Sequence, residues 1–225
     1  VPFNSIDELN QAFYGDRSYK NLYMPKAKQI YDSILDQIGL RPKSILCLTR
    51  TWISEYLQES DKDVMFPNTI TNNDGFDLIL GFDEVLTRER NESDQKKLIQ
   101  QIMQLVKPNG YLIASLRDYR NTNCHRRPLG DSIFARLNDD DVITVEVNGL
   151  DRHEKQAWRQ KLHVIVNDSE FVCLDLGHRR TLYFKQMAKY CMDAGASDFS
   201  VSKDLHWSNH LRRIPEHLAF ARKLT

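Results

Sequence analysis

Residues 76–121 read FDLILGFDEVLTRERNESDQKKLIQQIMQLVKPNGYLIASLRDYRN, and this stretch decides the fold. Phe76 to Leu80 is a short apolar run behind the turn-forming Asn73, Asp74 and Gly75, which predicts a strand. Asn91 is of the type that caps a helix, here expected to run through Lys107, with Glu92 and Asp94 in its first turn where negative charge is favourable. Leu98, Ile99, Ile102, Met103, Leu105 and Val106 give that helix one apolar face. Pro108, Asn109 and Gly110 are expected to stop it, and Tyr111–Leu116 reads as a second strand. Strand, helix, turn and strand in this order belong to the later half of a nucleotide-type α/β sheet.

Working outward, Ala27, Ile30, Tyr31, Ile34, Leu35 and Ile38 form the stripe of a helix expected from Pro25 to Ile38, with Gly39 suited to its end. Ser44–Leu48 is the first buried strand. Thr51 is placed to cap a short helix carrying Trp52, Ile53, Tyr56 and Leu57, and Val64–Phe66 reads as a brief second strand. Beyond Asn121, Val142–Val147, His163–Val166 and Phe171–Leu176 are closely spaced strands, which predict an antiparallel ribbon or small sheet. Helix returns over Thr181–Ala194, where Phe184, Met187, Ala188, Cys191 and Met192 align and Gly195 can end it. Phe199–Val201 and Leu218–Ala221 read as closing strands.

The 225 residues suffice for one substantial domain, and 41% hydrophobic with 28% charged residues is ordinary for a globular chain. Zero formal net charge gives no overall field favouring nucleic acid or an anionic membrane. No apolar run reaches membrane-spanning length, and Val1 to Ile6 carry neither a basic leader nor an apolar signal core. The four cysteines, Cys47, Cys124, Cys173 and Cys191, are widely spaced, so a reduced, cytoplasmic protein is expected.

The Phe-Asp strand, its helix, the Lys-Pro-Asn-Gly turn and the next strand resemble the class I S-adenosylmethionine (SAM) methyltransferases. Four pieces make the chain most similar to the glycine/sarcosine N-methyltransferase family. Tyr14, Gly15, Asp16 and Arg17 resemble that family's Tyr-x-Gly-Asp segment before the first long helix. Residues 74–116 match its sheet core. Asp118, Tyr119, Arg120 and Asn121 resemble its Asp-His-Arg-Asn element. Leu182, Tyr183 and the helix through Gly195 resemble its late tyrosine-containing helix. The resemblance implies a Rossmann-like α/β sheet, truncated in its early half, with an antiparallel β insertion. One methyltransferase-like domain over 1–225 is implied: a helical segment over 1–42, an α/β core over 43–120 and 181–225, and an insertion over 121–180 covering the cleft.

The resemblance also implies the site. SAM would be held by Leu48, Thr49, Arg50, Gly81, Phe82 and Asp83, and a small-molecule acceptor, carboxylate-bearing if it follows the family, by Tyr14, Arg17, Arg120, Asn121 and Tyr183. Arg120 matches the arginine that grips the substrate carboxylate, a task suited to a guanidinium fork; the alternative is a salt bridge to Asp118. Arg50 pairs with the SAM carboxylate or fills a disused pocket as a surface arginine. Asp83 follows a strand and borders the cleft or caps a turn. Tyr14 and Arg17 line the cleft or form a solvated helix lead-in, and Tyr183 offers a hydroxyl or is a half-buried aromatic. The family's oligomers make a homo-oligomer an expectation as well.

Two departures bear on the cofactor. Where the family has a Val-Leu-Asp-x-x-Cys-Gly-Thr-Gly type loop, residues 45–52 are Ile, Leu, Cys, Leu, Thr, Arg, Thr and Trp. Glycines serve there to let backbone approach the ligand, and Arg50 and Trp52 put bulk in their place. The span from Leu48 to Phe76 also leaves little room for the usual second strand, its ribose-binding acid and a complete third strand. Two functions follow: a SAM-dependent methyltransferase acting on a small amine or amino acid, with no assignable general base, or a catalytically inactive methyltransferase-fold protein binding another ligand or a protein partner.

Other constellations are weaker. His206 and His210 share a face if helical, yet no third ligand is in register and Pro215 interrupts, so no metal is expected. Cys124 beside His125 lacks an orienting third group. Arg117, Arg120, His125, Arg126 and Arg127 form a basic cluster with little aromatic interleaving, which argues for a substrate-mouth loop or a solvated loop over nucleic-acid binding.

Overall fold

A computed structural model describes residues 17–60, 62–69, 75–82, 85–116, 132–137, 142–150, 157–166, 170–207 and 216–224. Its elements run α1 (Arg17–Ile38), β1 (Ile45–Cys47), α2 (Trp52–Glu59), β2 (Val64–Met65), β3 (Phe76–Gly81), α3 (Glu92–Gln104), β4 (Val106–Leu116), β5 (Ser132–Leu137), β6 (Val142–Leu150), β7 (Ala157–Val166), β8 (Glu170–Arg180), α4 (Phe184–Asp193), β9 (Ala196–Trp207) and β10 (Glu216–Lys223), with short 3-10 turns at Pro67–Thr69 and Val85–Thr87.

Six strands form one sheet in the order β2-β1-β3-β4-β10-β9. The first four are parallel to one another and β10 lies antiparallel between β4 and β9. Apolar residues continue along β1 and β3 without alternation because both faces are covered. Ile45, Cys47, Leu78 and Leu80 face a core built with Tyr23, Ala27, Tyr31 and Ile34 of α1 and Trp52, Ile53 and Leu57 of α2. Leu46, Ile79, Leu112 and Ala114 face a second core with Ile99, Ile102 and Met103 of α3 and Met187, Tyr190 and Cys191 of α4. The remaining strands, β5-β6-β7-β8, make an antiparallel meander of their own. This is the expected fold class: a Rossmann-like sheet with an antiparallel insertion. Its early half is short, with only the two-residue β2 between β1 and β3 among the described residues.

Asp77 explains why a Phe-Asp strand start matters. Its Oδ2 accepts from the Lys43 and Ser44 amides at 2.7 and 3.0 Å, and its own amide donates to Ser44 Oγ at 3.1 Å. The Lys107 ammonium lies 3.6 Å from Oδ1. Burial pushes the carboxyl up, but the two amides and Lys107 outweigh it and hold Asp77 below its usual range. The latch fixes β3 against the lead-in to β1, and so sets the register Ile45↔Leu78.

Several boundaries differ from the sequence reading. The first helix begins at Arg17, with Pro25 inside it; Pro25 forfeits one backbone bond, and burial of Tyr23 and Ala27 holds the turns on either side. Asn91 has extended N-cap dihedrals, but its amide side chain donates to Asp94 at 3.0 Å and makes no capping bond to the helix backbone. The helix ends at Gln104, short of Lys107, because Val106 already pairs with Phe76. Pro108–Gly110 is then a bulge within β4, with Asn109 at φ 63°. A Cβ on Gly110 would sit 2.8 Å from the Asp77 carbonyl oxygen, so this close approach requires glycine. Gly39 ends α1 at φ 63°, its amide donating to the Leu35 carbonyl at 2.8 Å, as expected.

Candidate functional site

The order β2-β1-β3 reverses direction between β1 and β3, and crevices in open α/β sheets form at the carboxyl ends of strands at such a switch point. The residues there are Leu48–Trp52 after β1 and Gly81–Phe82 ending β3. Backbone and side chain tie the two segments together: the Leu48 amide donates to the Leu80 carbonyl at 2.9 Å, and Thr49 Oγ1 donates to the Phe82 carbonyl at 3.3 Å. Thr51 caps α2 by accepting from the Ser54 amide at 3.4 Å, while its own amide donates to Ser54 Oγ at 2.9 Å.

Five of the six residues expected at the cofactor therefore come together, and each already has an intramolecular partner. Leu48 Cδ1 and Val85 Cγ1 each lie 3.2 Å from where a Cβ on Gly81 would sit. The Arg50 guanidinium meets Glu55 at 3.4 Å and covers the Phe66 ring at 4.8 Å. Phe82 is buried in a stack of rings. Its centroid is 4.4 Å from that of Trp207 at 14° between planes, and Trp207 is 4.5 Å from Trp52 at 11°. Tyr23 tilts against Trp52 at 6.1 Å. Phe82, Trp207 and Trp52 are 1%, 0% and 3% exposed, so the stack closes this part of the crevice. Trp52 Nε1 is buried there and finds no hydrogen-bond partner.

Asp83, Tyr14, Arg120 and Asn121 lie outside the described residues, as do Asp118, Cys124 and the basic residues at 125–127. Arg17 is the first residue of α1. Tyr183 is the N-cap of α4, half-buried, its amide donating to Gln186 Oε1 at 3.2 Å. α4 itself packs in the second core, on the other face of the sheet from the aromatic stack. His206 lies in β9 opposite His217 in register, and His210 lies outside the described residues. Sequence reasoning missed Trp207; its one signal was a tryptophan at the end of an otherwise polar stretch.

A second polar group lies where β8, α3 and α4 meet, buried except for Glu92, whose side chain is 57% exposed. Glu92 joins Arg180 at 3.3 Å and accepts from the Tyr190 hydroxyl at 2.7 Å. Gln95 Nε2 donates to the Leu86 carbonyl at 3.1 Å. Burial, and then Glu92, push the Tyr190 hydroxyl up to about 12. Ser115 at the end of β4 donates to the buried Glu216 of β10. Cys47 and Cys191 are buried thiols raised to about 12 by loss of solvent, which removes both as nucleophiles.

Sheet order, switch point and insertion together define the fold of the class I SAM-dependent methyltransferases. No protein-family model matches the chain, and no curated protein matches it in sequence. Among solved structures it is similar to the CcbJ methyltransferase from Streptomyces caelestis, at 11% identity and a TM-score of 0.64 over 89% of this chain and 95% of that one. It is also similar to a SAM-dependent methyltransferase from Clostridium acetobutylicum, at 14% identity and a TM-score of 0.59 over 94% and 96%. A third is CalS10 from Micromonospora echinaspora, an amino pentose methyltransferase with SAM bound, at 10% identity and a TM-score of 0.57 over 99% and 98%. At these identities the likeness is one of fold. No described helix is long and apolar enough to cross a membrane.

SAM is the cofactor this fold implies, and the described residues at the switch point leave it little room as they stand. The loop after β1 offers no glycine to the methionyl part, and its Thr49 and Thr51 side chains are spent on internal bonds. The rings of Trp52 and Phe82 are covered by Trp207, stacked at 4.5 and 4.4 Å.

Proposed function

We propose that this protein is a SAM-dependent methyltransferase acting on a small amine or amino acid, of the glycine/sarcosine N-methyltransferase kind. The observation that carries this reading is the likeness to methyltransferases along nearly the whole of both chains. SAM would supply an electrophilic methyl group. On this reading Leu48, Thr49, Arg50, Gly81, Phe82 and Asp83 border the cofactor. Arg120 grips the acceptor's carboxylate and fixes its amine in line, while Tyr14, Arg17, Asn121 and Tyr183 complete the acceptor's surroundings and the 121–180 insertion covers the cleft. The amine must arrive deprotonated, and no residue is assigned as its base.

A specific observation favours a second reading, in which the fold binds a ligand or a protein partner without transferring a methyl group: the loop after β1 has no glycine, and its strand ends are closed by rings. Calorimetric titration with SAM and S-adenosylhomocysteine, followed by a screen of amino acids and amino sugars as acceptors, separates the two. Micromolar cofactor binding and methylation of an amine support the first. A folded protein that binds neither cofactor at millimolar concentration leaves the second.

A further inference from the structure

A cavity of about 760 Å³ opens at the amino ends of β1 and β2, the opposite end of the sheet from the switch point. Its size is that of a small-molecule site. Three stretches build it: the last turns of α1, the connection 39–42 leading to β1, and Lys62 ahead of β2. Asp32, Leu35 and Asp36 fall three and four residues apart on α1, so they share the face that lines it. Asp32 already pairs with Lys28. Asp36 on the helix, and Arg41 and Lys62 on the two connections, form no ion pair among the described residues. The helix end adds to the acid, because α1 has no basic residue in its last turn to offset its carbonyl groups. The cavity therefore has a negative side along α1 and a positive side at Arg41 and Lys62. One buried group completes it. Tyr31 is 3% exposed and lines the cavity, its ring tilted against Tyr56 at 6.2 Å. Its hydroxyl makes no hydrogen bond with a described residue. Burial, and then the nearby Tyr56, Cys47 and Asp32, raise that hydroxyl to about 12, so it stays protonated at neutral pH with a proton to donate. A tyrosine buried to this extent usually spends its hydroxyl on a partner, and here the open space beside it is the cavity.

We propose that this cavity is a binding site for a free amino acid, separate from the crevice at the switch point. The ligand's ammonium lies toward Asp36 and the carbonyl end of α1, its carboxylate meets Arg41 and Lys62, and one carboxylate oxygen accepts from the Tyr31 hydroxyl. Charge selects the class. A plain anion would meet Asp36 and the helix end, a plain cation would meet Arg41 and Lys62, and a zwitterion matches both sides. Leu35 offers apolar surface to the ligand's side chain. The inference does not rest on the methyltransferase reading, since it uses no residue of the crevice.

The test is calorimetric titration of the full chain with L-glutamine and L-phenylalanine, zwitterions of different side chain. Each is also titrated as its α-amide, which lacks the carboxylate, and as its N-acetyl form, which lacks the ammonium. Asp36→Asn, Arg41→Gln and Tyr31→Phe are titrated in parallel, with circular dichroism to establish that each folds. Asp36 and Arg41 are exposed, and Tyr31→Phe keeps the buried ring, so the fold is expected to survive all three. An amino acid should bind the wild type at millimolar concentration or below, and each charge substitution should weaken it about tenfold or more. Tyr31→Phe should weaken it about two- to tenfold, the share of one hydrogen bond. Both blocked forms should bind about tenfold or more weakly than their parent. Amino-acid binding untouched by all three substitutions belongs to another place and overturns the proposal. So does a blocked form that binds as tightly as its parent, or no binding of either amino acid at millimolar concentration. The methyltransferase reading stands or falls on its own SAM titration, which none of the three substitutions should alter.

Discussion

Replacing Asp77 with alanine should loosen the join between β1 and β3 on which the switch point depends. The carboxylate accepts two backbone amides, from Lys43 at 2.7 Å and Ser44 at 3.0 Å, and faces Lys107 at 3.6 Å. Hydrogen bonds to a charged group contribute about 1.5–3 kcal/mol each when buried. The Asp77 side chain is 23% exposed and the Lys107 side chain 35%, so water replaces part of what is lost and the ion pair adds little. A net cost of roughly 2–3 kcal/mol follows for Asp77→Ala, and about half of that for Asp77→Asn, whose remaining oxygen still accepts from an amide. Urea denaturation at neutral pH followed by circular dichroism measures both. The pH dependence adds a signature. The folded carboxyl is held below its unfolded value, so its contribution is fully present above the unfolded pKa of about 3.9 and is lost as pH falls through the folded one. The gap between wild type and Asp77→Asn should therefore narrow as the buffer is taken down from about pH 5. An alanine variant within about 0.5 kcal/mol of wild type, or a gap that does not change with acid, would refute the latch.

Two further substitutions probe packing and titration. Gly110→Ala puts a Cβ 2.8 Å from the Asp77 carbonyl oxygen and 3.1 Å from that of Phe76, both backbone atoms that cannot swing aside; a loss of roughly 2 kcal/mol or more is expected in the same urea assay, and wild-type stability would mean the bulge relaxes freely. Tyr190, raised to about 12 by burial and by Glu92, contributes stability that is present below its unfolded pKa of about 10 and is lost as pH rises through the folded value. Tyr190→Phe should accordingly flatten the alkaline limb of the stability curve between about pH 10 and pH 12, and an unchanged slope would place that titration elsewhere.

Most of the sheet core was legible because its signals are local. The apolar run at Phe76–Leu80, the stripe from Leu98 to Met103 and the Gly39 stop each lie within one element, where side-chain period and glycine conformation act directly. Boundaries failed where a tertiary contact overrode a local cue. Pro25 reads as a helix start, yet Tyr23 packs on Trp52 and the helix continues behind it. Pro108–Gly110 reads as a stop, yet Val106 already pairs with Phe76, so the same residues become a bulge. The site was harder still. Trp52 was visible as bulk in place of glycine, but the ring that completes the stack arrives from β9, and no local pattern joins residues 52, 82 and 207. The expected acceptor residues Tyr14, Arg120 and Asn121 lie outside the described residues, and Arg17 and Tyr183 entered the site reading only through family resemblance.

The place of β10 has a consequence for biosynthesis. This strand, the last of the described elements, is interior to the sheet, hydrogen-bonded to β4 on one side and β9 on the other. Its Leu218 and Phe220 complete one core and its Ala219 and Ala221 the other. A nascent chain therefore holds β4 and β9 apart, each with an unpaired edge, until residue 223 has left the ribosome. The β5–β8 meander pairs only neighbours in sequence and can form early, whereas the six-stranded sheet closes only once β10 has been made. Chains cut short before β10 should collect as aggregates through those open edges, and a ribosome-arrest series read by protease resistance would show protection of the sheet arriving in a single late step.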